Sequence, residues 1–285
     1  MTTFFYSSLF IFGLLFGSFA SVVIWRIRRK ESGILTGRSH CPHCKHTLGA
    51  LDLFPVLSYL FLRGKCRFCG AKIGVVYPLL ELSMGILFVL SGWFVVGSPV
   101  IIPFPDHQII WRLAFFLVTA FVTVVFVFYD FLFMEIPDEV MIPLDIILFL
   151  LLFTTSVGVP LPFFGHFMLF DTKALNIPIV NAMIGSAGIF LFFYLQIVAS
   201  KGKWMGGGDL RIAIFMGLVA GAKIAFLGLM LAYFSGSIIV LLVIAKTRSR
   251  NTELPFGPYL ALGLYLSLFF HTEILDAYIK YLTIQ

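Results

Sequence analysis

Charged residues are scarce in this sequence. Only 12% of its 285 residues are Asp, Glu, Lys or Arg, whereas 60% are hydrophobic and 34 are Phe. A soluble globular domain carries roughly 25% charged residues, so this composition excludes a single soluble core. Apolar stretches of roughly 20 residues, enough to cross a bilayer as a helix, recur along the chain. The sequence therefore predicts an all-α, polytopic helical membrane protein that lies in a lipid bilayer.

The chain has neither a basic start before its first apolar segment nor an internal repeat. The first segment is also too long for the core of a signal peptide, so we interpret it as a membrane span. About eight transmembrane helices are expected. The sixth, at 210–222, is short, and only Lys223 separates it from the seventh, at 224–245. One long, bent segment is the alternative for this pair.

The net charge is +6, and the distribution of the basic residues follows the predicted membrane topology. With eight spans and the N-terminus outside, 16 of the 20 Lys and Arg residues fall on the cytoplasmic side. Cytoplasmic loops of membrane proteins are enriched in these two residues, which predicts this orientation. The same distribution argues against nucleic acid as a partner. Most of the polar segments then face the cytoplasm.

Cysteine is rare, and all four cysteines lie in the first cytoplasmic loop. They form two C-x-x-C pairs, "CPHC" with Cys41 and Cys44 and "CRFC" with Cys66 and Cys69, separated by 21 residues. Paired C-x-x-C sequences are typical of a structural zinc site with four thiolate ligands. Two disulfides or free thiols are the alternatives, although the reducing cytosol disfavours disulfides. The loop is predicted to be a small cysteine-rich domain.

Two acidic residues stand at predicted helix ends on the cytoplasmic side. Asp130 ends the third span in "YDFLFMEIPDEV", and Asp209 begins the sixth in "KWMGGGDLRIAIF". Two neighbouring carboxyl groups can act as acid and base on one water molecule and so hydrolyse an amide bond. Glycines 206–208 would let the backbone of a substrate approach closely, which makes Gly206, Gly207 and Gly208 a candidate active-site loop. A helix cap at Asp209 and an ordinary interfacial residue at Asp130 are the alternatives.

Several sequence blocks, in this order, resemble one family. They are "GSFASVVIWRI", "RSHCPHC", "PVLSYLFLRGKCRFCG", "YPLLE", "YDFLFMEIPDEV", "MGGGDLR" and "ELPFGPYLALG". The chain resembles the type IV prepilin peptidases, which are bifunctional leader peptidases and N-methyltransferases. The resemblance covers nearly the whole chain and implies an aspartic protease of the GxGD class whose catalytic residues are Asp130 and Asp209.

The resemblance also implies a substrate and a location. Family members lie in the cytoplasmic membrane and cut the basic leader from type IV prepilins, or from pseudopilins of type II secretion, after a glycine on the cytoplasmic side. Many then methylate the new N-terminus with S-adenosylmethionine as methyl donor. Residues 1–98 would hold the first two spans, the cysteine loop at 26–74 and the methyltransferase part, and residues 99–285 would form a six-span peptidase part.

The chain departs from the family pattern at Val76, where members that methylate commonly carry Arg. We therefore assign no methyl-transfer residues, and a homo-oligomer is left open. Two other functions are the alternatives. An intramembrane GxGD protease of the signal-peptide-peptidase kind has a late Pro-Ala-Leu motif, whereas this chain has Pro-Phe-Gly-Pro. A non-catalytic transporter or assembly factor is disfavoured because transporters commonly carry repeated halves and midplane polar sites.

Overall fold

The computed structural model describes residues 2–31, 37–97, 107–156, 178–247 and 254–283. A short 3-10 helix occupies Ala50–Asp52, and the α-helices are α1 (Thr2–Arg29), α2 (Leu57–Phe61), α3 (Val76–Val96), α4 (His107–Phe133), α5 (Asp138–Ser156), α6 (Pro178–Ser200), α7 (Asp209–Thr247) and α8 (Gly257–Thr283). The described residues form no β-strand beyond two isolated bridges. Within the described residues, six helices are long and apolar enough to cross a membrane: α1, α3, α4, α6, α7 and α8. The predicted all-α membrane fold is confirmed, and the number of crossings stays a prediction.

Contacts within the chain divide it into two compact units, Met1–Phe128 and Tyr129–Gln285. The division lies near the end of α4, so the last turn of that helix belongs to the second unit. The boundary predicted at 98–99 falls in a segment outside the described residues. The two-part functional organisation therefore stays a prediction.

In the first unit, α1 and α3 pack backbone against backbone. A Cβ atom on Gly13 would lie 2.7 Å from the Cα of Gly85, and one on Gly17 would lie 2.6 Å from the Cα of Glu81. Glycines four residues apart lie on one face of a helix and let membrane helices approach closely. The buried Glu81 carboxylate then accepts a hydrogen bond of 2.7 Å from the N–H of Val56. This bond ties the cysteine-loop segment to the start of α3.

In the second unit, α6, α7 and α8 pack in the same way through small residues. Gly217 lies directly against the backbone of Ser186, and Gly263 lies directly against the backbone of Gly228. The Ser186 hydroxyl donates a hydrogen bond of 3.0 Å to the carbonyl oxygen of Ile214. A larger side chain at any of these glycines would separate the helices. These contacts hold α7 between α6 and α8.

The helix α7 is broken at Gly221, where φ is 69° and ψ is 175°. Glycine adopts positive φ without steric cost, which explains why the break falls at this residue. The N–H of Ala222, just after the break, donates a hydrogen bond of 3.0 Å to the side-chain oxygen of Asn181. An unbroken helix of 39 residues would be about 58 Å long, well beyond the roughly 30 Å of a bilayer core. The break therefore divides α7 into two shorter helical segments.

The contacts of α7 with α6 run in opposite orders on the two sides of the break. The first segment ends at the break, where the N–H of Ala222 binds Asn181, whereas the earlier Ile214 contacts the later Ser186, so this segment is antiparallel to α6. After it, Phe226 lies against Gly188 and Tyr233 bonds to Gln196, so the segments are parallel. The chain thus reverses direction at Gly221. This arrangement favours two spans over one long, bent segment.

Candidate active site

Asp130 lies in the last turn of α4, three residues before the helix ends at Phe133. The helix stops because Met134 adopts a left-handed conformation with φ 52°, and its N–H donates to the Asp130 carbonyl at 2.8 Å. Pro137 follows and cannot continue a helical hydrogen-bond pattern. The Asp130 side chain is buried, and the residue is only 6% exposed. Its Oδ2 accepts a hydrogen bond of 2.8 Å from the backbone N–H of Gly257, the first residue of α8.

Asp209 is the first residue of α7 and is 9% exposed. A carboxylate at this position is favoured by the unpaired N–H groups and the dipole at a helix N-terminus. The backbone of Gly206 hydrogen-bonds to the Asp209 carboxylate, and the charges of Asp130 and Asp209 interact. The two predicted acids thus lie at the ends of two helices, close enough for their charges to interact. Two nearby buried carboxyl groups favour a state in which one is ionised and the other protonated.

The glycine triplet divides into two kinds of position. A Cβ atom on Gly208 would lie 2.7 Å from Cγ1 of Ile136, whereas one on Gly206 or Gly207 would meet nothing within 4 Å. Gly208 is therefore required where the "GGGD" and "EIPD" segments touch. Gly206 and Gly207 instead leave open space beside Asp209.

A salt bridge joins the same two segments a few residues further on. Arg211 Nη2 lies 2.6 Å from Oδ2 of Asp138, and the two side chains are 33% and 47% exposed. Asp138 begins α5, and Arg211 follows Asp209 by two residues. The pair holds the starts of α5 and α7 side by side. It therefore helps to fix the position of Asp209.

The four cysteines form one cluster. Their sulfur atoms all lie within 4.8 Å of one another, and the Sγ atoms of Cys41 and Cys69 are 3.9 Å apart. A tetrahedral zinc ion with Zn–S bonds of about 2.3 Å would place its ligands about 3.8 Å apart. Hydrogen bonding from the backbone of Cys44 lowers the pKa of Cys41 to about 6. At Cys69 a backbone hydrogen bond at Ala71 is outweighed by burial and the neighbouring cysteine side chains, which raise the pKa to about 11. The donor set and its spacing fit a structural metal site.

The loop around the cluster repeats one backbone pattern twice. The N–H of Cys41 donates to the carbonyl of His46, and the N–H of Cys66 donates to that of Ala71, in each case five residues on. The carbonyls of the same two cysteines accept from the N–H groups of Lys45 and Gly70, which both have positive φ. Two identical turns are what a pair of C-x-x-C ligands requires. Neither turn depends on a disulfide, because all four thiols are free.

Comparison with known proteins identifies the family. A family model described as the bacterial peptidase A24 N-terminal domain matches residues 11–95. A prepilin leader peptidase/N-methyltransferase of Bacillus subtilis (strain 168) is 30% identical over 276 residues, which are 96% of this chain and 98% of that protein. The chain belongs to the prepilin leader peptidase/N-methyltransferase family. Proteins of the same name from Stutzerimonas stutzeri and Pseudomonas aeruginosa are 27% and 26% identical, and each alignment covers 95% of this chain and 92% of the relative. No solved structure matches.

Membership of the prepilin leader peptidase/N-methyltransferase family confirms the resemblance seen in the sequence. It favours the prepilin peptidase function over the two alternatives, an intramembrane protease and a transporter. The family model spans α1 from residue 11 onwards, the cysteine loop and nearly all of α3, and both acids lie beyond it. The likeness of the segments that carry Asp130 and Asp209 therefore rests on the full-length relatives.

The structure adds Gly257, the glycine of the Pro-Phe-Gly-Pro sequence, to the site. A Cβ atom at this position would lie 2.7 Å from Oδ2 of Asp130 and 3.3 Å from its Cγ. The signal in the sequence was a glycine between Phe256 and Pro258 at the start of a span. That pattern marks a helix start, but it does not indicate which side chain the glycine faces.

Aromatic residues line the side of the site near Asp209. The Tyr233 hydroxyl and the Gln196 amide exchange hydrogen bonds of 2.9 and 3.0 Å, and Tyr233 interacts electrostatically with Asp209. The ring of Tyr233 lies 5.2 Å from that of Phe256, the residue before Gly257. These contacts connect the surroundings of the two acids.

Proposed function

We propose that the chain removes the basic leader from type IV prepilins or pseudopilins by cutting after a glycine on the cytoplasmic side of the membrane. Its relatives are named prepilin leader peptidase/N-methyltransferase. The observation that carries the proposal is the pairing of the buried Asp130 and Asp209 at two helix ends. Asp130 and Asp209 are the proposed catalytic residues, and Gly206, Gly207 and Gly208 form the proposed active-site loop.

Asp130 is assigned the role of general base. Its Oδ2 accepts a hydrogen bond of 2.8 Å from the Gly257 N–H, which holds the carboxylate in a fixed position. Asp130 removes a proton from water as the water oxygen attacks the scissile carbonyl carbon, and Asp209 donates its proton to the carbonyl oxygen. The C–N bond then breaks, the proton held by Asp130 passes to the leaving amine, and Asp209 recovers a proton from the diol intermediate. Both acids end the cycle in their starting states.

The new N-terminal amine is the proposed substrate of a second, methyl-transfer step. S-adenosylmethionine supplies the methyl group in this step, and no residue of the chain is assigned to bind it. Zinc held by Cys41, Cys44, Cys66 and Cys69 would fix the fold of the cytoplasmic loop. A closed site with four thiolate ligands has no open position, so zinc is assigned no part in the chemistry.

The proposed location is the cytoplasmic membrane, with the N-terminus outside and both acids at the cytoplasmic face. The excess of Lys and Arg in the predicted cytoplasmic segments supports this orientation. The substrate then has its basic leader in the cytoplasm and its apolar helix in the bilayer.

The test is cleavage of a prepilin by the purified, detergent-solubilised protein, followed by mass spectrometry of the product N-terminus. Asp130→Asn and Asp209→Asn should each abolish the shortened product while the protein accumulates normally in membranes. Asp276→Asn, an exposed position on α8, is the matched control and should cleave normally. Cleavage by either active-site variant would refute the proposal that Asp130 and Asp209 are the catalytic pair. With methyl donor added, the wild-type product should gain the mass of one methyl group.

A further inference from the structure

The chain between the two C-x-x-C pairs contains a segment, 51–61, that exposes apolar side chains. It comprises the end of the 3-10 helix, a short connection and α2. Its large hydrophobic side chains include Phe61, which is 82% exposed, and all of them are more than a third exposed: Leu51, Leu53, Phe54, Leu57, Leu60 and Phe61. A contiguous apolar surface of this kind marks a site of interaction with a partner or a membrane.

The acid within this segment does not interrupt the apolar surface. The side chain of Asp52 is only 7% exposed, and its Oδ1 lies 3.1 Å from Nε of Arg67 in the second cysteine turn. Its Oδ2 accepts a hydrogen bond of 3.1 Å from the N–H of Gly49. The sequence from 37 to 75 contains no other Asp or Glu, whereas Arg63 and Lys65 follow Phe61 directly and are exposed. The segment therefore presents an apolar surface with positive charge at its end.

The hydrogen bond from Val56 to Glu81 fixes the depth of the segment relative to the membrane. Glu81 lies five residues after Val76, the first residue of α3, which is about 7.5 Å along the helix axis. The 21 residues of α3 span about 32 Å, close to the roughly 30 Å of a bilayer core. A crossing by α3 therefore places Val76 at the edge of the core. Because the Val56 N–H lies 2.7 Å from the Glu81 carboxylate, the start of α2 lies at this same edge.

We propose that the 51–61 segment inserts its apolar side chains into the lipid leaflet at which α3 begins, the cytoplasmic leaflet in the proposed orientation. Interfacial segments bury their apolar side chains about 5 to 10 Å into the boundary between headgroups and acyl chains, the depth that the bond to Glu81 gives this segment. Arg63 and Lys65 then meet the phosphate groups of the lipids, and anionic lipid strengthens the contact.

Insertion of this segment has a consequence for the cysteine cluster. The segment lies between Cys44 and Cys66, so lipid contact holds both cysteine turns against the membrane surface. The inference uses the proposed location of the chain and is independent of the peptidase chemistry. A second copy of the chain is the other occupant of the apolar surface that the test distinguishes.

The first test measures the depth of the segment in a bilayer. The full chain is reconstituted into nanodiscs of phosphatidylcholine and phosphatidylglycerol, with an environment-sensitive fluorescent amino acid in place of Phe61. The matched control carries the same probe in place of Thr47, which is also exposed but lies beside the first cysteine pair. A spin label near the top of the lipid acyl chain should quench the probe at 61 by about twofold or more, and iodide in the water should quench it little. The probe at 47 should show the reverse.

The second test uses limited proteolysis of the same nanodiscs. Trypsin cuts after Arg63 and Lys65, and burial of the adjoining segment in lipid should protect both bonds. Leu60→Glu combined with Phe61→Glu should raise the rate of cutting there by about tenfold or more, because charged side chains are costly inside a bilayer. Thr47→Glu is the control and should leave the rate unchanged. Elution in size-exclusion chromatography and metal content should match the wild type in both variants.

The outcomes separate the inference from the proposed function. Equal quenching of the probes at 61 and 47 by iodide would overturn the inference. A probe at 61 that neither the spin-labelled lipid nor iodide reaches would also overturn it, since protein would then cover the surface. If the double variant misfolds, the quenching of the probes decides. Lipid quenching at 61 in a protein that does not cleave prepilin would count against the proposed function alone.

Discussion

Replacing Gly257 with alanine should impair cleavage without unfolding the protein. The new Cβ atom would lie 2.7 Å from Oδ2 of Asp130, whereas ordinary contacts begin near 3.4 Å. The carboxylate must therefore move by about 0.7 Å, and a displacement of about 1 Å at a reacting group can cost on the order of 100-fold in rate. We expect kcat to fall by about 10-fold to 100-fold, which corresponds to about 1.4 to 2.7 kcal/mol of transition-state stabilisation.

The Gly257→Ala variant also offers a readout that a general structural defect would not produce. Movement of Asp130 weakens the hydrogen bond from the residue 257 N–H, and that bond favours the ionised carboxylate. A base that is protonated more easily loses activity at a higher pH. The acid limb of the pH–rate profile should therefore move to higher pH, whereas a smaller amount of folded enzyme would lower the whole profile without moving it.

The assay is the initial rate of prepilin cleavage by purified protein over a series of pH values. Membrane abundance and elution in size-exclusion chromatography should match the wild type. Gly74→Ala is the matched control, because a Cβ atom there would meet nothing within 4 Å. A wild-type rate and pH profile for Gly257→Ala would refute the view that Gly257 positions Asp130.

Three further predictions concern the segments around the site. Exchanging the partners of the salt bridge, Asp138→Arg with Arg211→Asp, should recover at least half of the cleavage lost in either single variant. A partly exposed pair contributes about 0.2 to 1 kcal/mol to stability, so the thermal stability of each variant should change little. Gly208→Ala should lower the yield of active protein, whereas Gly206→Ala should leave the yield unchanged and raise KM, and equal effects would contradict the steric difference between them. Purified protein should contain about one zinc ion per chain by elemental analysis, as expected for four thiolate ligands, and Cys41→Ser should lose it and make the loop more sensitive to protease.

Much of the fold could be predicted because its causes are local. Long apolar runs specify membrane helices, and two C-x-x-C pairs need only short turns to present four thiols. The topology also predicted that Asp130 and Asp209 would lie at one face, because both stand where a predicted span meets the cytoplasmic side. Each of these predictions depends on residues close together in the sequence or on a rule that counts along the chain.

The contacts that complete the site could not be predicted in the same way. The bond from Gly257 to Asp130 joins residues 127 positions apart, and no pattern near either residue specifies the partner. Met134 is an uncommon choice for a left-handed helix end, where glycine or asparagine is usual, so the end of α4 gave only the signal of Pro137. Asp145 lies within the apolar run of α5, and an average of hydropathy over a window conceals a single carboxyl group.

The reversal at Gly221 explains how three distant parts of the chain reach one place. The first segment of α7 runs from Asp209 antiparallel to α6, and the second segment runs back parallel to α6. The second segment is in turn antiparallel to α8, since Gly228 contacts Ser267 while the later Tyr233 contacts Phe256. The start of α8, with Gly257, therefore returns to the level of Asp209, where α4 also ends. Had α7 continued straight through residue 221, its second segment would have carried α8 away from the acids, and the N–H that binds Asp130 would have been out of reach.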